Sequence, residues 1–145
     1  MINFEQLDKS LDSLKIQFHA SKPFPYIVID NFCDPKILND IDALPNPSKE
    51  KVNKSRDYVF AKNKFEKSNF KSFSKNFEEL YKDITSKRFN DFISEIMGKK
   101  VFVDSDFYGG GLHQGGEGSF LDMHVDFNLH PQNKTWVREL NILFY

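Results

Sequence analysis

The sequence predicts an α+β fold on three observations. Apolar stripes at helical spacing, several bracketed by cap residues, occupy much of the first hundred positions. From Val101 the apolar period drops to two, between turns that are rich in glycine or contain proline. Helices thus precede strands, which argues for helices buttressing a separate β portion and against the alternating units of a doubly wound sheet.

Taken in order, Phe4, Leu7, Leu11 and Leu14 recur at helical spacing and predict a short packing helix, broken by residues 22–25. Tyr26-Ile27-Val28-Ile29 is β-branched and predicts a buried strand. Asp34 suits the cap of a following helix with Pro35 in its first position. Ile37, Leu38, Ile41 and Leu44 supply its apolar face, and Pro45 ends it. Residues 45–56, with two prolines, two asparagines and two serines, predict an exposed loop. A second helix is predicted over 70–81, with Phe70, Phe73, Phe77, Leu80 and Tyr81 on one side. A third runs from a Ser86 cap to Met97, its stripe made of Phe89, Phe92, Ile93, Ile96 and Met97, and Gly98 suits the left-handed residue that closes it. These stripes read as core. Strands are predicted at 101–108, 119–128 and 137–145. Between them, Gly109-Gly110-Gly111 with Gly115, Gly116 and Gly118 lacks the lysine-containing pattern of a phosphate loop, and no helix follows.

A chain of 145 residues predicts one domain, and sixteen Phe, five Tyr and one Trp predict an aromatic-rich core. Cys33 is the only cysteine, which excludes an internal disulfide and a cysteine metal cluster and suits a reducing compartment. The N-terminus has no apolar signal core and no run reaches the length of a membrane span, so a cytoplasmic protein with no membrane partner is expected. Net charge is only -1, but it is unevenly distributed: residues 49–88 carry 12 Lys or Arg against 6 Asp or Glu. Tyr58, Phe60, Phe65, Phe70 and Phe73 interleave with those cations. The block reads first as an amphipathic helix with a core aromatic stripe, and second as a single-stranded nucleic-acid surface. Residues 101–133 carry Asp104, Asp106, Glu117, Asp122 and Asp126 and no Lys or Arg, a field that favours a bound cation or simply a solvated acidic loop.

Within that acidic block, Asp122-Met123-His124-Val125-Asp126-Phe127-Asn128-Leu129 alternates strictly. A strand there sends Leu121, Met123, Val125, Phe127 and Leu129 to one face and Asp122, His124, Asp126 and Asn128 to the other. His124 and Asp126 then lie side by side, two donors of the two-histidine, one-carboxylate set that holds non-heme Fe(II) with open positions. Chance supplies about 0.4 His-X-Asp spacings in a chain of this composition, so the motif draws its weight from its surroundings.

Those surroundings resemble a known family. Gly109-Gly110-Gly111-Leu112-His113-Gln114, residues 121–128, His130-Pro131 and the run 138–145 are similar to the 2-oxoglutarate- and Fe(II)-dependent oxygenases of the prolyl 4-hydroxylase-like branch. Pro23 to Phe32 resembles the way many members begin. The resemblance implies a distorted double-stranded β-helix, jelly-roll-like, with the helices against it, and a dioxygenase that hydroxylates an unactivated C–H bond of a peptidyl (prolyl or other) or small-molecule substrate. It implies Fe(II) on His124 and Asp126, 2-oxoglutarate and O2 as co-substrates, and ascorbate as a further candidate cofactor. Tyr108 and Tyr145 match tyrosines near 2-oxoglutarate in relatives and read equally as core aromatics. His113 is a candidate for the pocket mouth or for solvent, His130 a turn residue, and Asn128 and Arg138 candidates for orienting substrate or the ligands.

Two parts of the family pattern are absent: a second iron histidine on a later strand, and the Arg or Lys that anchors 2-oxoglutarate. By the resemblance both would fall beyond Tyr145, on a later strand and shortly after it; separately, the apolar run 140–145 calls for neighbours to cover it. The expectation is therefore a single oxygenase domain over 1–145, truncated at its C-terminus. Its helix-rich part is expected over 1–100 and the start of its barrel over 101–145, with weak iron binding and no turnover. The rivals are a non-catalytic barrel that lost its metal site and a nucleic-acid binder through 49–88.

Overall fold

A computed structural model describes residues 1–42, 44, 53–54 and 61–145 and gives an α+β architecture. Helix α1, Phe4–Ala20, opens at Asn3, whose side chain accepts the Gln6 N–H at 3.3 Å. It closes at Ser21 and buries Leu7, Leu14 and Phe18. The expected strand at 26–29 is instead a chain without ladder partners among the described residues. Ile27 and Ile29 pack on the core while Tyr26 and Val28 are exposed, so the β-branched run lines one face of the molecule and is not buried on two. Asp34 caps as expected, its carboxylate accepting the Lys36 N–H at 2.9 Å, but α2 is only Ile37–Asp42. Only Ile37 of its predicted face is buried; Leu38 and Ile41 are exposed. The predicted loop at 45–56 lies outside the described residues except for Asn53–Lys54, which form β1.

The basic block holds a strand where a helix was expected. Strand β2, Ala61–Lys67, buries Ala61 and Phe65, four residues apart, a spacing that fits both a helical and a strand period. Pairing decides between them: β2 lies antiparallel between β1 and β3, Leu112–Leu121, with Ala61 opposite Leu121 and Phe65 opposite Gln114. The ladder is broken midway. Lys62 pairs with Phe120 and Lys64 with Gly115, so residues 116–119 bulge out opposite Asn63 alone. Asn63 adopts φ 52° and donates to the Glu117 carbonyl at 2.9 Å. At the start of β3 a side chain on Gly111, at φ 114°, would lie 2.4 Å from the Lys67 carbonyl oxygen and 2.7 Å from Ser68 Cα, so the fold needs glycine there.

The predicted 70–81 helix divides. Phe70–Ser72 is a 3-10 turn, and Ser74, accepting the Phe77 N–H at 3.2 Å, restarts the chain as α3, Lys75–Ile84. Helix α4, Lys87–Met97, is as expected, with Ser86 Oγ accepting the Phe89 N–H at 3.1 Å and Gly98 left-handed at φ 67°. Helix α1 packs on α4 and α3 on α4, joining Leu7, Leu14 and Phe18 to Phe77, Leu80, Ile84, Phe89, Phe92, Ile93 and Ile96. Leu7 and Phe89 are fully buried.

In place of the strands expected at 101–108, 119–128 and 137–145 the structure has β3 and three stretches that join no ladder among the described residues. Residues 101 and 103 satisfy their backbone on α4: the Val101 N–H meets Ser94 Oγ at 3.0 Å and the Val103 N–H meets Asn90 Oδ1 at 2.9 Å. Their two-residue alternation is that of a chain lying along a helix. Residues 122–128 join no strand, and Met123 and Val125 of the predicted apolar face are 96% and 87% exposed. Beyond them a small hairpin forms through the Leu129–Val137 bridge, and 138–145 joins no ladder. The described residues form one sheet, and the expected boundary at residue 100 is crossed by β2–β3 pairing.

Truncating the ring at the helix interface, Phe89→Ala, should cost about 3–5 kcal/mol, and removing the α4 cap with Ser86→Ala about 1 kcal/mol. Urea unfolding followed by circular dichroism measures both, and Phe89→Ala should be the larger loss.

Candidate functional site

The hairpin of residues 128–138 assembles the polar groups. The Asn128 carbonyl accepts the Arg138 N–H at 2.8 Å, and the His130 N–H donates to the Trp136 carbonyl at 2.9 Å. Arg138 thereby lies beside Asp126, with Nη1 3.2 Å from Oδ2. Its guanidinium covers the Phe127 ring at 4.9 Å and donates to Asn141 Oδ1 at 2.7 Å, while Asn141 Nδ2 reaches Asp126 Oδ2 at 3.4 Å. One carboxylate oxygen is thus held by Arg138 and Asn141. The other, Oδ1, faces His124 Nε2 at 3.4 Å. Both side chains are open to solvent, His124 at 46% and Asp126 at 40%.

A second pair stands close by. His130 Nε2 lies 3.4 Å from Asp104 Oδ2, and here the imidazole is only 11% exposed. Its ring is enclosed by Tyr108 at 5.3 Å, Trp136 at 5.3 Å and Phe127 at 6.2 Å. Asp104 turns the chain by accepting the N–H groups of Asp106 at 3.0 Å and Tyr108 at 2.9 Å.

The two pairs share a separation but differ in where the ring proton sits. His124 Nδ1 lies 2.8 Å from the Asp122 carbonyl, an acceptor only, so Nδ1 carries a proton; in the neutral ring Nε2 then presents a lone pair to Asp126, and in the imidazolium a second N–H. A lone pair facing a carboxylate is repulsive unless a proton or a metal cation lies between them. The 3.4 Å span suits two donors that share one ion with bonds of roughly 2.1 Å. His130 has the opposite arrangement. Its Nδ1 meets the N–H groups of Asn133 at 2.9 Å and Gln132 at 3.3 Å, so it accepts, and Nε2 carries the proton. Nε2 is buried and makes no hydrogen bond; the Asp104 carboxylate, 3.4 Å away, attracts the N–H as a charge attracts a dipole.

The structure therefore brings together His124, Asp126 and Arg138 of the residues singled out from sequence. Asn128 contributes its backbone and exposes its side chain. Tyr108 packs on Phe127 and His130, which suits the aromatic reading, and Tyr145 is fully exposed with no contact tying it to the pair. His113, on β3 opposite Glu66, is held below its ordinary imidazole value of 6.5 by burial and then by the Lys64 charge; Glu66 and Asp126 oppose the shift. No three His, Cys, Asp or Glu side chains converge as a metal site among the described residues. Sequence reasoning missed Asn141, Asp104 and Trp136. Arg138 and Asn141, three apart in a predicted strand, point to opposite faces in that reading, and only the irregular chain joins them. No family model, curated protein or solved structure matches this chain.

Because folding lowers the affinity of His113 for a proton, the unfolded chain takes up that proton first as pH falls. Its neutral ring contributes stability above the ordinary imidazole value, and that contribution is lost as pH drops through 6.5 toward the lowered folded value. Replacing it, His113→Gln, should flatten the pH dependence of stability just below 6.5, as measured by urea midpoints across a pH series.

Proposed function

We propose that this chain carries the His-X-Asp part of an Fe(II)- and 2-oxoglutarate-dependent dioxygenase of the prolyl 4-hydroxylase-like branch. In this reading β2 and β3 belong to a distorted double-stranded β-helix. The observation that carries the proposal is the geometry of His124: Nδ1 donates to the Asp122 carbonyl, so that in the neutral ring Nε2 is bare toward Asp126 Oδ1 at 3.4 Å. Histidines that bind metals use their second nitrogen in this way.

His124 Nε2 and Asp126 Oδ1 are the donors that would hold the ion. Arg138 and Asn141 occupy Oδ2, so Asp126 offers a single oxygen to it. When bound, iron with 2-oxoglutarate and O2 supplies oxidative decarboxylation and hydroxylation of an unactivated C–H bond, on a prolyl, other amino-acid or small-molecule substrate. Ascorbate is a candidate reductant for the same centre. Tyr108 is the nearer of the two tyrosines proposed to line the co-substrate site, since its ring contacts Phe127 beside Asp126.

One observation favours a second reading, a barrel scaffold that binds without metal. The Arg138 guanidinium already neutralises Asp126, and a protonated His124 completes an Arg–Asp–His chain of charges with no ion needed. The basic segment is a weaker rival. Its Phe65 and Phe70 are buried and unavailable for stacking on bases, and Tyr58 and Phe60 lie outside the described residues. No described helix is long and apolar enough to cross a membrane.

Anaerobic calorimetry with Fe(II), or with Mn(II) as a stable substitute, separates the two leading readings. Weak binding by the chain, reduced at least roughly tenfold in both His124→Ala and Asp126→Ala, is the expected outcome. Binding that neither substitution alters removes the oxygenase reading, and no binding at millimolar metal leaves the metal-free scaffold. With two protein donors the 145-residue chain should form no succinate from 2-oxoglutarate.

A further inference from the structure

We propose that His130 is a positioning residue, a clasp joining the 128–138 hairpin to the 104–108 turn so that Arg138 is held against Asp126. The ring is used at both ends. Nδ1 closes the hairpin turn by accepting from Asn133 and Gln132, and the proton this forces onto Nε2 lies beside the Asp104 carboxylate, with Nε2 3.4 Å from Oδ2. An apolar ring of similar size would fill the space among Tyr108, Phe127 and Trp136. It would leave two turn N–H groups without their acceptor and Asp104 without its partner.

The clasp reaches the candidate site through the hairpin's own bonds. His130 N–H to Trp136 O and Arg138 N–H to Asn128 O are successive bonds between its two arms, so whatever fixes His130 also fixes the backbone that carries Arg138. Phe127 is shared. It packs edge-on to His130 on one side and takes the Arg138 guanidinium on the other. Asp104 is itself immobilised by two backbone N–H groups, so the turn is a fixed point for the hairpin. The working role of what is positioned rests on the proposed function, whereas the clasp itself needs no metal.

Nitrogen-15 NMR of the metal-free wild-type chain gives the first test, with no variant to fold. The clasp requires the His130 proton on Nε2; a proton on Nδ1 of His130 overturns it. Two variants then divide the ring's ends. In His130→Asn the amide oxygen replaces the Nδ1 acceptor but the reach to Asp104 is lost. Slow hydrogen exchange should persist at the Asn133 amide while exchange of the Arg138 guanidinium protons accelerates several-fold. His130→Gln keeps the reach and loses the acceptor, and should give the reverse. Wild-type exchange at Arg138 in His130→Asn overturns the positioning role. Should these patterns hold while the wild-type chain binds no Mn(II), the clasp stands and the metal reading falls.

Discussion

A neutral imidazole has one proton and two nitrogens, and the partner taken by Nδ1 decides what Nε2 can do. The two histidine–aspartate pairs of this chain turn on that constraint. The Asp122 carbonyl draws the proton of His124 to Nδ1 and leaves a ligand-ready lone pair, whereas two turn N–H groups push the proton of His130 to Nε2 and make it a donor. Equal separations of 3.4 Å to an aspartate thus describe opposite chemistries. Distance alone would have ranked the two pairs alike.

Surroundings reinforce the division. The Asp126 pair is open to water and borders a cation, Arg138, which damps the charge that would attract a metal. The Asp104 pair is walled by three aromatic rings, where an unmatched charge is costly and a fixed dipole is not. An exposed pair can exchange partners, and a buried one holds the partner it has.

The helices were legible in the sequence because their signals are local. Asn3, Ser74 and Ser86 each cap within three residues of themselves, and Gly98 closes α4 at a left-handed backbone. Even there Asn3 went unnamed as a cap, and Ser74 was overlooked because the aromatic stripe from Phe70 to Tyr81 runs through it without a break in period. The β portion was less legible because alternation specifies an extended chain and says nothing about what lies beside it. Val101 and Val103 alternate against α4, and Met123 and Val125 alternate into solvent. Lys62 and Lys64 disguised a strand as a helix face. At the site, His124, Asp126 and Arg138 were recognisable by residue type. The roles of Asp104 and Asn141 depend on chain reversals that pattern reading does not supply.

The four residues that swing out between Lys62 and Lys64 of the opposite strand have a consequence for how these molecules behave in company. Among the described residues β3 borders the sheet, and a border strand is a template on which other chains can stack. An excursion halfway along it, pinned by Asn63, kinks that template and interrupts the row of free amides. A newcomer finds only short straight stretches on either side, too brief for fibre-like growth to take hold.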